Sequence, residues 1–190
     1  MKNSKKIKEI ASIQTGTYAQ SVINGDIIYL QSKHFNENGQ LRSKLHPEVL
    51  RDNISERHIL KPGNVLFAAK GTKNFATLFE EKNDPAIAST SFFVIRLKKF
   101  INEIILPEYL VWFLNHSRTQ NYLKGNAIGT SIASISKSVL SDLEISIPDL
   151  KTQDCIIKIA NLRMKEKALL QQLENLRESQ IQQLILNAIK

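Results

Sequence analysis

The sequence predicts an α+β fold: a mixed β-sheet body over residues 1–150, followed by one long C-terminal α-helix over residues 151–190 that pairs as a coiled coil. Three observations lead there. The first hundred residues break into short runs of β-branched and aromatic residues divided by glycine, proline and asparagine turns, the pattern of strands and hairpins. A helical segment opened by Pro107 and closed by Gly125 follows. From Thr152 to Lys190 there is neither glycine nor proline, and Ile159, Leu162, Leu169, Leu173, Leu176 and Leu184 recur at steps that fit a period between about 3.5 and 3.6. A rod of that length outreaches a small body, so its stripe requires another helix, a second copy of the chain. A terminal helix folded back on its own body is the alternative.

Taken in order, Lys5 to Ile13 reads as a short helix or strand, and Asp26 to Gln31 as a strand entered from the Asn24-Gly25 turn. Ser32 to Leu45 is polar, basic and turn-rich around Asn38-Gly39, which predicts a surface loop. Pro62-Gly63 forces a tight turn into an apolar strand, Val65 to Ala69, and Lys70 to Asn74 makes a second, basic turn. Ala86 to Leu97 is the strongest strand by composition and is expected in the middle of the sheet. Pro107 opens a helix that runs to Lys124, in which Trp112 is expected to pack against the core. An open Gly129-Thr130-Ser131 turn leads to a short helix capped by Ser136, and a strand, Leu143 to Ile147, ends at Pro148. Pro148 marks the boundary between body and rod, and Thr152 or Asp154 is expected to cap the rod.

Composition narrows the function classes. With 190 residues, 42% of them hydrophobic, the chain can fill one core. The formal net charge is +8, with a pI of about 9.6. The excess is spread over both parts, 19 basic against 14 acidic side chains in residues 1–150 and 7 against 4 in residues 151–190. That favours an acidic partner without singling out nucleic acid. The single cysteine, Cys155, excludes an internal disulfide framework and fits a reducing cytoplasm. No apolar run reaches about 18 residues and Met1 to Glu9 is charged, so neither a membrane span nor a signal peptide is expected.

Catalytic constellations are thin. Asn83-Asp84-Pro85-Ala86 lacks the second proline and the aromatic of a methyltransferase tetrad and reads as a turn. Two acid-lysine triplets, Glu80-Glu81-Lys82 and Asp149-Leu150-Lys151, the latter with Asp142 and Glu144 upstream, are the type of site a metal-dependent nuclease uses to hold a divalent ion and activate water. Such triplets arise by chance in charged sequences. His34, His46, His58 and His116 have no ligand spacing with one another or with Cys155. No catalytic residue, metal or cofactor is expected.

The segments "LKPGNVLFAAKGT" (Leu60 to Thr72), "LPEYLVWFLN" (Leu106 to Asn115) and "AIGTSIASISKSVLSDLEISIPDLKTQ" (Ala127 to Gln153), with the helix after them, resemble the specificity subunit of type I restriction-modification systems. The likeness runs over nearly the whole chain and rests on the order of its parts. It implies a target recognition domain that reads a few base pairs of double-stranded DNA. It also implies a spacer helix that pairs with another helix and docks methyltransferase subunits, and with them a restriction subunit. A typical member carries two recognition domains and two spacers, so a single set resembles a half subunit working as a homodimer in the cytoplasm. The junction departs from the family pattern, since Pro148 is followed by Asp149-Leu150-Lys151-Thr152-Gln153 instead of a second proline and a Glu-Gln pair.

Base-reading residues vary too widely in that family to be transferred, so the candidate DNA contacts rest on loop position and chemistry. Lys33, Arg42, Lys44, Lys70, Lys73 and Lys137 are the phosphate candidates. Gln31, His34, Thr72, Asn74, Thr130 and Ser131 are candidates for base edges or sugar. A stand-alone DNA-binding regulator and a small metal-dependent nuclease are the rival readings.

Overall fold

The computed structural model describes residues 4–36, 38–71, 74–81, 85–101, 103–127 and 134–189. Its centre is a four-stranded antiparallel sheet in the order β2 (Ala11–Thr15), β7 (Phe92–Leu97), β4 (Val65–Ala68), β5 (Ala76–Leu78). The Pro62-Gly63 turn leads into β4 as expected, and Gly63 takes φ +85°, a conformation that costs glycine no Cβ clash. Every residue of β4 is buried because the sheet is covered on both faces. Val65 and Phe67 pack with Ile13, Phe93 and Ile95 against the helices. Leu66 and Ala68 pack with Phe92 and Val94 into a second core with Leu30, Phe35, Phe75 and Phe79. Phe35, Phe75 and Phe92 meet there at centroid distances of 5.6, 5.7 and 6.0 Å, two of the three pairs edge-on.

The mixed character of the β-structure lies in two small satellite sheets. β1 (Ser4–Lys6) pairs antiparallel with β8 (Glu144–Ser146), while β3 (Ile28–Leu30) pairs parallel with β6 (Ala86–Ala88). The segment from Lys5 to Ile13 is therefore neither one helix nor one strand. It is the end of β1, one helical turn, α1 (Ile7–Ile10), and the start of β2, and Ile7 and Ile10 of that turn are fully buried. Lys8 of α1 holds Asp142 at 2.7 Å. This pair raises the Lys8 pKa and depresses the Asp142 carboxyl, tying the turn to α4 (Lys137–Asp142).

Two expected elements are each divided. Ala86 to Leu97 turns at Ser89–Ser91, so β6 and β7 belong to different sheets and only Phe92–Leu97 lies mid-sheet. The Ser89 and Ser91 hydroxyls bond each other at 2.7 Å across this turn. The segment from Pro107 to Lys124 forms α2 (Pro107–Asn115) and α3 (Ser117–Gly125), broken by His116 in an extended conformation. On one continuous helix, turning about 100° per residue, Leu110 and Leu114 would face away from Thr119 and Leu123. The break lets all four be buried. Trp112 is half-buried and stacks on Tyr109 at 5.4 Å.

The rod is α5 (Leu150–Ala188), 39 unbroken residues and about 58 Å long. Its cap is Asp149, not Thr152 or Asp154. Asp149 Oδ1 accepts from the Thr152 amide at 2.8 Å and Oδ2 from the Thr152 hydroxyl at 3.1 Å. These bonds hold the Asp149 carboxyl below the usual carboxylate range.

Candidate nucleic-acid interface

Three chain segments converge at one end of the sheet. Alternation along β3 sends Leu30 into the second core and leaves Tyr29 and Gln31 on the other side. The chain leaving β2 crosses the β6–β7 turn, with the Gly16 amide donating to Phe92 O and the Thr17 amide to Ala88 O, both at 2.9 Å. Only glycine allows this approach, since a Cβ at position 16 would lie 2.1 Å from Ser89 O. Tyr29 Oη donates to Thr17 O at 3.1 Å and the Ser89 amide to Leu30 O at 2.8 Å, which locks the three segments together.

Between them runs an open groove of about 560 Å³, walled by Tyr18, Gln20 and Ser21 on one side and by Gln31, Ser32 and Lys33 on the other. Ser89, Thr90 and Ser91 also line it. Hydroxyls and amides that both donate and accept, with one lysine at the edge, are the groups that contact base edges and phosphates. The backbone of Lys70 lies beside Ser91, because its amide and that of Ala69 both donate to Ser91 O, at 3.4 and 2.9 Å. The Ile135 amide donates to Ala69 O at 2.9 Å, which brings the start of α4, with exposed Lys137, to the same end of β4.

The structure thus brings together Gln31, Lys33, Lys70 and the stretch carrying Lys137. Other candidates lie elsewhere or are engaged. The His34 ring accepts from the Gln31 amide at 3.3 Å, and burial lowers its pKa. Arg42 Nε donates to Phe35 O at 2.9 Å, and Asn74 Nδ2 to Ala68 O at 2.9 Å. Lys44 lines a separate hollow beside β5 and Asn161 of α5. Thr72, Lys73, Thr130 and Ser131 lie outside the described residues. Sequence reasoning missed Tyr18, Gln20, Ser21 and Thr90. The first three sit in an aperiodic stretch between Gly16 and the Asn24-Gly25 turn, and Thr90 in a run of hydroxyl residues, Ser89 to Ser91.

Asp149, the acid of the second acid-lysine triplet, caps α5, and Asp142 upstream of it is paired with Lys8. Lys82, of the first triplet, lies outside the described residues. Among the described residues no three His, Cys, Asp or Glu side chains converge on a point that could hold a metal ion. No helix there is long and apolar enough to cross a membrane.

The second surface is α5. Its first turns dock on α2, with Ile157, Ala160 and Met164 lining a cleft against Val111 and Trp112. Gln153 is fully buried in the body. At about 100° per residue, Gln153, Ile157, Ala160 and Met164 share one face of the helix. Ile159, Leu162, Leu169, Leu173, Leu176 and Leu184 lie on the opposite face, each 44–65% exposed. The helix does not fold its stripe back on its own body, because it uses its other face for that contact.

The family model described as type I restriction modification DNA specificity domain matches residues 2–176, which include the whole body and most of α5. Among solved structures, the chain is similar to the HsdS subunit from Thermoanaerobacter tengcongensis, at 19% identity and a TM-score of 0.65 over 90% of this chain and 44% of that one. It is also similar to the type I restriction-modification S subunit from M. genitalium, at 15% identity and a TM-score of 0.58 over 84% of this chain and 38% of that one. A third structure, solved to explain complex assembly and conformational transition of the type I R-M system, matches at 15% identity and a TM-score of 0.62 over 96% of this chain and 43% of that one. The chain therefore spans about two-fifths of the length of these structures. No curated protein sequence matches it.

Proposed function

The chain belongs to the family of type I restriction modification DNA specificity domains, and from this membership we propose that it is the non-catalytic DNA-recognition subunit of a type I restriction-modification complex. The body reads one half of a bipartite site in double-stranded DNA. The rod joins two such bodies as a homodimer and positions methyltransferase subunits, and with them a restriction subunit, in the cytoplasm. The observation that carries the reading is the division of labour on the molecule. A polar groove with Lys33 in its lining, next to the backbone of Lys70, lies on the body, while the apolar face of α5 is exposed opposite the face that docks on the body. Exposing Ile159, Leu162, Leu173 and Leu184 together costs on the order of 6–12 kcal/mol at about 1.5–3 per side chain, which a second helix removes.

Co-expression with a type I modification subunit, followed by mapping of methylated adenines, tests the assignment. A complex that co-purifies and methylates a bipartite motif supports it. A chain that binds one DNA site alone and ignores the methyltransferase would be a regulator, and divalent-metal cleavage by the purified chain would make it a nuclease. Light scattering tests the dimer, with the full chain compared to a truncation after Lys167, which keeps the Gln153 to Met164 contacts with the body. A dimeric full chain and a monomeric truncation are expected. A monomeric full chain defeats the self-association.

A further inference from the structure

We propose that two copies of α5 pair antiparallel in one register, fixed by Glu166 of each chain lying opposite Arg177 of the other. The proposal rests on the self-association inferred above and adds which residues meet.

The outward face of α5 does not keep a strict heptad to its end. Continuing the heptad through Leu169 and Leu176 brings Gln180, Gln183 and Asn187 onto the seam. A repeat of eleven residues, with steps of three, four and four, fits better, and its period of about 3.67 residues per turn asks for only a slight, right-handed supercoil. Ile159, Leu162, Leu170, Leu173, Ile181 and Leu184 obey it, and all are 44–65% exposed. Two positions of the series are charged, Glu166 and Arg177, and they lie one repeat apart.

A two-fold axis between Gln171 and Gln172 relates these positions pairwise. Leu170 then meets the partner's Leu173, Leu162 meets the partner's Ile181, and Ile159 meets the partner's Leu184. The two interruptions coincide as well, so each Glu166 faces an Arg177 and the pair occurs twice. Other arrangements lose this. Moving the axis to Leu173 sets Ile159 against Asn187 and Glu166 against Gln180. A parallel pair sets Glu166 against Glu166 and Arg177 against Arg177. It also stacks the basic first part of the rod, which carries Lys151, Lys158, Arg163, Lys165 and Lys167, on itself. A charged layer inside an apolar seam gives register and orientation more than stability.

Cys155, exposed in the single chain, continues the series four residues before Ile159 and falls opposite Ala188 of the partner. This supplies a readout independent of affinity. In the full chain, Ala188→Cys is expected to give an interchain disulfide between Cys155 and the introduced thiol on mild oxidation, located by peptide mass. Glu166→Arg and Arg177→Glu should each weaken self-association about tenfold or more, because each sets like charges together. The double exchange in one chain should restore it, and mixing the two single variants should give a heterodimer. A Cys155–Cys155 disulfide in the unsubstituted dimer, or a double exchange no better than the single variants, overturns the register while leaving self-association standing. A monomeric unsubstituted chain overturns both.

Discussion

The amide of Leu106 donates to Oε1 of Gln153 at 2.9 Å, across 47 residues of sequence. Gln153 has no exposed surface, and its Nε2 donates at 2.7 Å to both Ile104 O and Pro148 O. One side chain therefore closes the backbone groups before α2 and before α5, and fixes the direction in which the rod leaves the body. A buried polar group satisfied at every atom is costly to remove, because its partners stay buried without it.

Gln153→Ala is expected to cost about 2–4 kcal/mol of stability, since one N–H and two carbonyls lose their partner. Gln153→Glu keeps the shape but sets a carboxylate against two carbonyls, and should cost at least as much. Urea denaturation of the full chain and both variants measures this. A loss below about 1 kcal/mol in either variant would show that the rod is held by the α2 contacts alone.

Much of the fold was legible in sequence where a local signal and the tertiary demand agree. Phe92–Leu97 is the centre of the sheet because its β-branched and aromatic residues are buried on both faces. The rod follows from an uninterrupted helical period. The breaks were not legible, because they answer to burial and not to local propensity. His116 divides a helix so that Leu114 and Leu123 can both reach the core, and no glycine or proline marks the place. The groove was half-legible: Gln31, Lys33 and Lys70 sit next to visible turns. The Tyr18 to Ser21 wall depends on Gly16 crossing the Ser89 carbonyl, a contact between segments more than seventy residues apart.

Lys33→Ala combined with Lys70→Ala is expected to weaken DNA binding with little change in stability, since both side chains are exposed and such substitutions usually stay within about 0.5 kcal/mol. If both meet phosphates, the slope of log affinity against log salt falls by up to about two units, at about 0.9 per phosphate. Titrations at several salt concentrations with the modification subunit present give the slope. An unchanged slope would place the backbone contacts away from the groove.

His34 and His58 both have lowered pKa values, chiefly through burial, with Lys33 adding to the first and Arg57 and Arg96 to the second. Arg96 occupies Oε1 of Gln14 at 2.7 Å, so the Gln14 amide nitrogen, 3.0 Å from His58 Nδ1, donates to a neutral ring. The folded chain thus binds fewer protons at these sites than the unfolded chain. Their stabilising contribution is full above about pH 6.5, the ordinary histidine value, and is lost as pH falls below it. Imidazole titration followed by NMR should place both midpoints below that value. Either ring titrating above it would contradict the assignment.

The spacing of the DNA site follows from where each body sits on the rod. The body grips α5 from Gln153 to Met164, and in the antiparallel register its partner grips the other end, so the two grips are centred about 26 residues apart. At about 1.5 Å per residue that is about 39 Å, or about 11 base pairs at about 3.4 Å each. This is close to one turn of the duplex, so both bodies meet the same face of the DNA. Identical bodies related by a two-fold axis read the same short sequence on opposite strands. The site is therefore expected to be an interrupted palindrome with half-site centres about 11 base pairs apart. Methylome mapping in a strain whose only specificity chain is this one provides the measurement. A palindrome with a clearly different spacing would move the register, and an asymmetric bipartite motif would mean that a different specificity chain takes the place of the second copy.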